Sequence, residues 1–175
     1  FGWPGGNASL TGGDGPGVAV DGAGSSANVT LNGVVFNSNA GDGIDGSLTN
    51  GTATSNLRFN INNSIINGNA GNGVDYSISG LNATGGVTFH NTQVQLNAFD
   101  GFQFDVLNGA DFTGLGSTAP NLFSGNGSNA IQGTVSGNSS TANLLIAGLQ
   151  ANNSGSTGVL LNASDNGLLN LDINN

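Results

Sequence analysis

Apolar and polar residues alternate along short stretches of this chain, and the stretches return at a regular interval. Three hexapeptides make the interval visible: "NAGDGI" at 39–44, "NAGNGV" at 69–74 and "NAFDGF" at 97–102. The apolar residues that close these and the more degenerate copies are Val18, Ile44, Val74, Phe102, Ile131 and Val159. Separations of 26 to 30 residues over most of the chain predict a solenoid of stacked repeats.

Within each repeat the apolar residues recur at every second position, which is typical of β-strands. Three such strands fit into one repeat, separated by turns of Gly, Asn and Ser, and no stretch has the period of a helix. Aligning the repeats predicts two columns of inward side chains, Val29–Leu57–Val87 and Leu31–Phe59–Phe89. Stacked coils of this kind pair each strand with the strands above and below it.

Three strands in a coil of about 29 residues, with Asn and Gly at the corners, resemble the right-handed parallel β-helix. This is the repeat of the pectate-lyase-like superfamily and of many secreted bacterial adhesins and stalks. The resemblance implies an all-β solenoid of five to six coils in one domain, residues 15–175. We expect residues 1–14 to form a flexible segment or an inter-subunit contact. The resemblance implies no particular activity, because this fold carries both enzymes and inert rods.

Composition narrows the classes of partner. The chain has 175 residues, of which 6% are charged, and its net charge is -9 with a single strong base, Arg58. Nucleic acids and anionic lipids both require clusters of Lys or Arg, so we expect neither as a partner. The apolar runs are too short to span a bilayer, so we expect no membrane insertion. Without cysteine there are no disulfides and no thiolate ligands.

One asparagine recurs at the start of the hexapeptides, at Asn39, Asn69, Asn97 and Asn126, and we predict that a one-residue insertion shifts the next member, Asn153. Stacked Asn amides can hydrogen-bond along a column, and Asn tolerates the left-handed backbone of a corner. We therefore predict a structural turn ladder at these four positions. Three residues further on, Asp and Asn alternate at positions 42, 72, 100 and 129. A catalytic carboxylate would not recur once per coil, so we predict no catalytic residue and no enzyme.

Asp45 and Asp75 fall in one column, where their charges repel unless they are solvated or bridged by a cation. Calcium between coils is the candidate bridging ion, because Ca²⁺ prefers clustered oxygen ligands. The sequence contains neither the EF-hand spacing nor a repeated Gly- and Asp-rich nonapeptide. We therefore predict no cofactor, with Ca²⁺ as the alternative.

Two regions carry the alternative hypothesis of a polysaccharide-binding or polysaccharide-cleaving β-helix. Arg58 and His90, the only Arg and the only His, fall on one outward face in neighbouring coils, where solvated polar side chains are the simpler interpretation. The least regular coil, residues 99–123, gathers five Phe and three Asp. Phe has no polar group with which to orient a sugar, so a stacked Phe core is the preferred interpretation of that coil.

The two ends of the sequence lack an amphipathic cap, which a solenoid needs to cover its terminal coil. Phe1 and Trp3 at one end, with Leu171 and Ile173 at the other, are the candidate self-association residues. We expect protomers to stack head to tail, or the chain to be part of a longer repeat protein. The predicted function is a non-enzymatic structural rod, a filament subunit or an adhesin or stalk segment, at the bacterial cell surface or outside the cell.

Overall fold

The alternating stretches form eighteen short β-strands in the computed structural model, which describes residues 8–11, 13, 15–115 and 120–174. Every third strand belongs to the same parallel sheet. The first sheet contains β1 (Ala8–Thr11), β4 (Val34–Asn37), β7 (Ile65–Asn67), β10 (Gln93–Gln95), β13 (Asn121–Ser124) and β16 (Leu149–Asn152). The second contains β2 (Gly17–Asp21), β5 (Ile44–Thr49), β8 (Val74–Ser79), β11 (Phe102–Leu107), β14 (Ile131–Ser136) and β17 (Val159–Ser164). The third contains β3 (Ser26–Asn32), β6 (Asn56–Asn62), β9 (Thr84–His90), β12 (Asp111–Gly114), β15 (Thr141–Ala147) and β18 (Leu168–Asn174).

Successive strands therefore wind around a common interior as a parallel β-solenoid of about 6 turns, with about 28 residues per turn. The predictions of an all-β fold and of three strands per coil are confirmed. β1 lies within the predicted N-terminal segment 1–14 and pairs with β4 as the first strand of its sheet. Among the described residues there is no helix that is long and apolar enough to cross a membrane.

The three corners of the coil differ in how much their length varies from one coil to the next. The first corner, between the first and second sheets, has six residues in each of coils 2 to 6. The second corner, between the second and third sheets, varies from three to six residues. The third corner, which leads back to the first sheet, varies from one residue to six. Length is thus invariant only at the first corner.

Left-handed residues begin the first corner in every coil from the second to the sixth. The residues with positive φ there are Ser38, Gly68, Leu96, Gly125 and Asn153. Gly and Asn adopt this conformation at little cost, and they supply three of these five residues. Leu96 is the exception, since a bulky side chain at a φ of 55° is unfavourable and its side chain is 65% exposed.

The strand register corrects part of the sequence alignment. In the third sheet Val29 pairs with Phe59 and then Val87, and Leu31 pairs with Ile61 and then Phe89. The predicted columns placed Leu57 and Phe59 there, which is wrong by two residues. The slip keeps every side chain on its predicted face, because strand side chains alternate with a period of two. The six-residue second corner of coil 2 supplies the two extra residues.

Two further details of the alignment are wrong for related reasons. Val18 pairs with Gly46, so it does not occupy the column that Ile44, Val74 and Phe102 share. The predicted insertion near Asn153 does not exist, because the first corner of coil 6 has the same six residues as the others.

The interior is filled by aliphatic columns and by a chain of aromatic rings. Phe102 stacks on Phe104 with ring centroids 5.4 Å apart, and Phe104 stacks on Phe112 at 4.9 Å. Glycines make room for these rings: a Cβ atom on Gly133 would overlap the ring of Phe104 in the adjacent coil. The tyrosine of this core, Tyr76, satisfies its hydroxyl by donating a hydrogen bond of 2.7 Å to the Leu57 carbonyl.

The close approach of Phe104 to Gly133 predicts a large effect of a single methyl group. We expect Gly133→Ala to lower the free energy of unfolding by about 2 kcal/mol, because overpacking a filled core forces side chains off their rotamers. The matched control is Gly17→Ala in β2, where a Cβ meets no atom within 4 Å and unfolding should change little. Urea unfolding of both variants measures the difference, and equal stabilities would contradict this account of the core.

Candidate functional site

A ladder of buried amides runs along the first corner. The backbone N–H and the side-chain Nδ2 of Asn39 both donate to Oδ1 of Asn69, at 3.1 and 2.9 Å. Asn69 makes the same two bonds to Asn97, at 3.2 and 2.8 Å, and Asn97 makes them to Asn126, at 3.2 and 3.0 Å. All four side chains are at most 2% exposed. These are the four residues for which the sequence predicts a turn ladder.

The ladder changes at both of its ends. Gly155 donates to the Asn126 carbonyl, which places Ser154 next in the column. The hydroxyl of Ser154 is buried without a hydrogen-bond partner among the described residues, and so is Oδ1 of Asn39. The repeating amide bond is therefore confined to the four coils that supply an asparagine.

A second ladder follows three residues later and explains the alternation of Asp with Asn. Oδ1 of Asp42 accepts from the backbone N–H of Asn72, whose Oδ1 accepts from Asp100 at 3.0 Å. Oδ1 of Asp100 accepts from Asn129 at 2.7 Å, and Oδ1 of Asn129 accepts from Thr157 at 3.1 Å. The acceptor at each step is a side-chain oxygen, which Asp and Asn supply equally well, and Nδ2 of Asn129 adds a second bond to Oδ1 of Asp100 at 2.9 Å. This column therefore serves the backbone of the next coil.

A third ladder lies at the third corner and was not predicted from the sequence. Oγ of Ser64 accepts from the Val34 N–H at 3.3 Å, and the Thr92 N–H donates to Oδ1 of Asn121 at 3.0 Å. The Thr92 hydroxyl donates to the Ile61 carbonyl at 3.0 Å. The only signal in the sequence was one position, 64, 92 and 121, that Ser, Thr and Asn occupy in successive coils. That signal is weak, because these residue types are abundant throughout the chain.

Carboxylates gather on the outer side of the second sheet. Asp45 and Asp75 are direct neighbours in the strand register, as their column predicts. Burial, and then the charges of Asp42, Asp45 and Asp105, raise the pKa of Asp75 to about 6. Burial also raises the pKa of Asp42, against the effect of the Asn72 N–H that bonds to it. No group of three or more His, Asp or Glu side chains that could hold a metal ion occurs among the residues described.

A groove of about 420 Å³ lies on the third sheet. Its polar lining includes Arg58 of β6, Thr88 of β9, Thr113 of β12, Asn143 of β15, and Asn170 and Asp172 of β18. Leu144, Leu145 and Leu171 add apolar side chains, of which Leu145 is 37% and Leu171 46% exposed. The groove therefore crosses five successive strands, which at a spacing of about 4.8 Å is roughly 19 Å along the coil axis.

Arg58 and His90, the two basic residues considered from the sequence, do not belong to one site. Arg58 and His90 belong to adjacent strands of the third sheet, and both positions face outward, as expected. In the register, however, Arg58 pairs with Gly86, whereas His90 pairs with Asn62. Four residues along a strand separate the two columns by roughly 13 Å. Only Arg58 lines the groove.

The irregular coil 99–123 uses its aromatic residues mainly inside the protein. Phe102, Phe104, Phe112 and Phe123 are fully buried; the first three stack, as the preferred interpretation expects, and Phe123 packs edge-on against Phe89. Phe99 is different, because its side chain is 59% exposed at the first corner. The remaining irregularity, residues 116–119 of the long third corner, lies outside the described residues.

Only two of the four predicted self-association residues lie in the described part of the chain. Phe1 and Trp3 lie outside the described residues. Leu171 and Ile173 lie in β18, the edge strand of the third sheet, and are 46% and 67% exposed.

Fold and site together define the protein as a parallel β-solenoid in which the corner of constant length carries buried side-chain ladders. Comparison with protein-family models, with curated proteins and with solved structures found no match to this chain.

The amide ladder predicts that its inner members matter most for stability. We expect Asn97→Ala to lower the free energy of unfolding by about 3 kcal/mol, because it leaves the buried N–H and Nδ2 of Asn69 without an acceptor. The matched control is Asn60→Ala on the half-buried outer side of β6, where only the Thr88 hydroxyl loses a partner and about 0.5 kcal/mol is expected. Urea denaturation measures both, and similar losses would contradict a special role of the ladder.

The raised pKa of Asp75 predicts a pH dependence of stability. Its pKa is about 6 in the folded protein, against an ordinary value of 3.8 for an aspartate, so the folded state holds the proton more tightly. Stability from this group is therefore greatest below pH 3.8 and is lost as the pH rises through about 6. Asp75→Asn should raise the unfolding free energy above that range by about 1 kcal/mol, after allowance for solvent screening.

Thermal unfolding of the wild type and of Asp75→Asn across this pH range provides the measurement. The difference between their melting temperatures should widen from acid to neutral pH. A constant difference would show that Asp75 ionises in the folded protein as it does in the unfolded chain.

Proposed function

We propose that the chain is a non-enzymatic, extracellular structural protein, a rod that acts as a filament subunit or as an adhesin or stalk segment. The support comes from where its polar side chains are used. Three separate ladders hydrogen-bond one coil to the next, in addition to the three parallel sheets. Bonds of this kind along the axis stiffen a stacked array of coils.

The exposed edge of the sixth coil supports the proposal that the rod grows by stacking. Leu144 and Ile146 of β15 are 3% and 7% exposed, whereas their partners in the register, Leu171 and Ile173, are 46% and 67% exposed. The outer edges of β16, β17 and β18 also carry the backbone groups that would pair with a further strand. A coil from a second copy, or from further repeats of a longer chain, would cover both. Head-to-tail contact between identical copies is heterologous and propagates into a filament.

Sedimentation velocity over a range of concentrations, with negative-stain electron microscopy of the same samples, tests this proposal. We expect rods that lengthen with concentration, and loss of the longer species in the double variant Leu171→Asp, Ile173→Asp. The matched control is Leu81→Asp, an exposed leucine at a second corner, which should leave assembly unchanged. Monomers at every concentration would contradict the filament subunit.

A second candidate function is the binding of a polysaccharide, favoured by the groove on the third sheet. Asn170 donates to Oδ1 of Asn143 at 2.8 Å, which leaves Nδ2 of Asn143 as a donor and Oδ1 of Asn170 as an acceptor, and the Thr113 hydroxyl adds one of each, as sugar hydroxyls require. Leu145 provides an apolar contact for a ring face, and Arg58 provides a cation for an acidic sugar. The groove runs along the coil axis, so a chain-like ligand fits it better than a compact one.

Calorimetric titration with neutral and acidic oligosaccharides tests the second candidate. We expect Arg58→Ala to weaken binding of an acidic oligosaccharide by roughly tenfold, as the loss of one charged hydrogen-bond donor would. His90→Ala is the matched control, because His90 faces outward on the same sheet but lies outside the groove. Equal effects of the two substitutions, or binding of neither sugar class, would contradict this function.

A further inference from the structure

Seven Asn–Gly pairs occur in the chain, and this is the dipeptide whose asparagine most readily loses its side-chain amide. The pairs begin at Asn32, Asn50, Asn67, Asn72, Asn108, Asn126 and Asn166. In the reaction the glycine nitrogen attacks Cγ of the preceding asparagine, and glycine favours the attack because it has no side chain in the way. The attack requires the glycine N–H to leave its own hydrogen bond and move toward the asparagine side chain.

In six of the pairs the glycine N–H donates a hydrogen bond to an acceptor in an adjacent coil. The acceptors are backbone carbonyls for Gly33, Gly51, Gly68, Gly73 and Gly127, and the hydroxyl of Ser140 for Gly109, at distances from 2.8 to 3.1 Å. Each of these bonds is part of the stacking that joins one coil to its neighbour. Freeing the nitrogen therefore requires two coils to separate locally, which costs opening free energy.

The seventh pair, Asn166–Gly167, is built differently. Gly167 donates only to the carbonyl of Ser164, at 2.8 Å, within a single turn of the second corner. Asn166 is exposed and has a φ of 64°, and Gly167 is half-buried. The other two pairs at a second corner, at Asn50 and Asn108, are followed by glycines that are buried. Among the described residues, opening this turn breaks no backbone bond between coils and disturbs only the exposed side-chain bond from Asn166 to Asn138.

We propose that Asn166 is the preferred site of spontaneous deamidation in the folded protein. The nitrogen of Gly167 forms a bond to Cγ of Asn166, the Cγ–Nδ2 bond breaks, and the nitrogen's proton leaves with the amide as ammonia. Water then opens the resulting succinimide at either carbonyl, which yields aspartate or isoaspartate. The net reaction consumes one water, releases one ammonia and needs no oxidant, reductant or second protein.

The product alters the contact between the fifth and sixth coils. Nδ2 of Asn166 donates to Oδ1 of Asn138 at 3.0 Å, and a carboxylate at position 166 has no proton to donate there. The new charge also lies beside Asp165, which accepts hydrogen bonds from Ser136 and Ser164. An isoaspartate would in addition lengthen the backbone just before β18. The site therefore couples a slow chemical change to the packing of the sixth coil.

Peptide mapping by mass spectrometry, with separation of aspartate from isoaspartate, tests the proposal on the folded chain incubated at mildly alkaline pH. We expect Asn166 to deamidate at least about tenfold faster than the asparagine of each of the other six pairs. A parallel incubation in concentrated urea should bring all seven pairs to similar rates, because the sequence Asn–Gly is common to them.

The variant Asn166→Gln supplies the control, since glutamine at this position would form its ring far more slowly. We expect it to remove the fast-forming acidic species from ion-exchange profiles of the folded protein and to leave the other six rates unchanged. Another Asn–Gly pair reacting as fast as Asn166 in the folded chain would overturn the proposal. An Asn166 rate equal to the slow rates of the other six would overturn it as well.

Discussion

Hydrogen bonding between equivalent residues of successive coils is the constraint on which the rest of this structure depends. The buried amide ladder shows it most clearly, because Asn69 and Asn97 each donate to the next asparagine and accept from the last. A buried amide is stabilising only while it has its partners, so every coil must bring its asparagine to the same place. The first corner accordingly keeps six residues in coils 2 to 6, while the second and third corners vary in length.

The sequence predicts those features that recur in every coil because of this constraint. Alternation, period and the four ladder asparagines are visible because a column of identical residues recurs in the sequence. The lateral register of the third sheet is not visible, because a shift of two residues leaves the same faces apolar. Whether Leu57 or Phe59 follows Val29 depends on two extra residues at a second corner. The groove needs side chains from five strands in that register, so the sequence predicts Arg58 as outward but not its neighbours.

The second ladder separates the structural role of aspartate from its charge. Asp42 and Asp100 accept hydrogen bonds that Asn72 and Asn129 accept in the other coils, so the negative charge is not what the column uses. Charge nevertheless accumulates where the corner meets the second sheet, and the raised pKa of Asp75 reflects its burial near three other carboxylates. The unfavourable electrostatics are tolerated because the stacking of coils stabilises the fold by more than this repulsion costs.

Stacking also leaves an open edge at the sixth coil, where no further strand of the described chain is paired. A coil held by pairing on one side presents the same unpaired backbone groups and apolar columns on its other side, as β16, β17 and β18 do. The structural proposal uses this edge, whereas the polysaccharide proposal uses the outer face of the third sheet. An edge occupied by another coil leaves that face open, so a rod that also binds a glycan is consistent with one structure. The two surfaces share β18, where Leu171 belongs both to the edge and to the groove, so Arg58→Ala reports on the groove alone and Ile173→Asp on the edge alone.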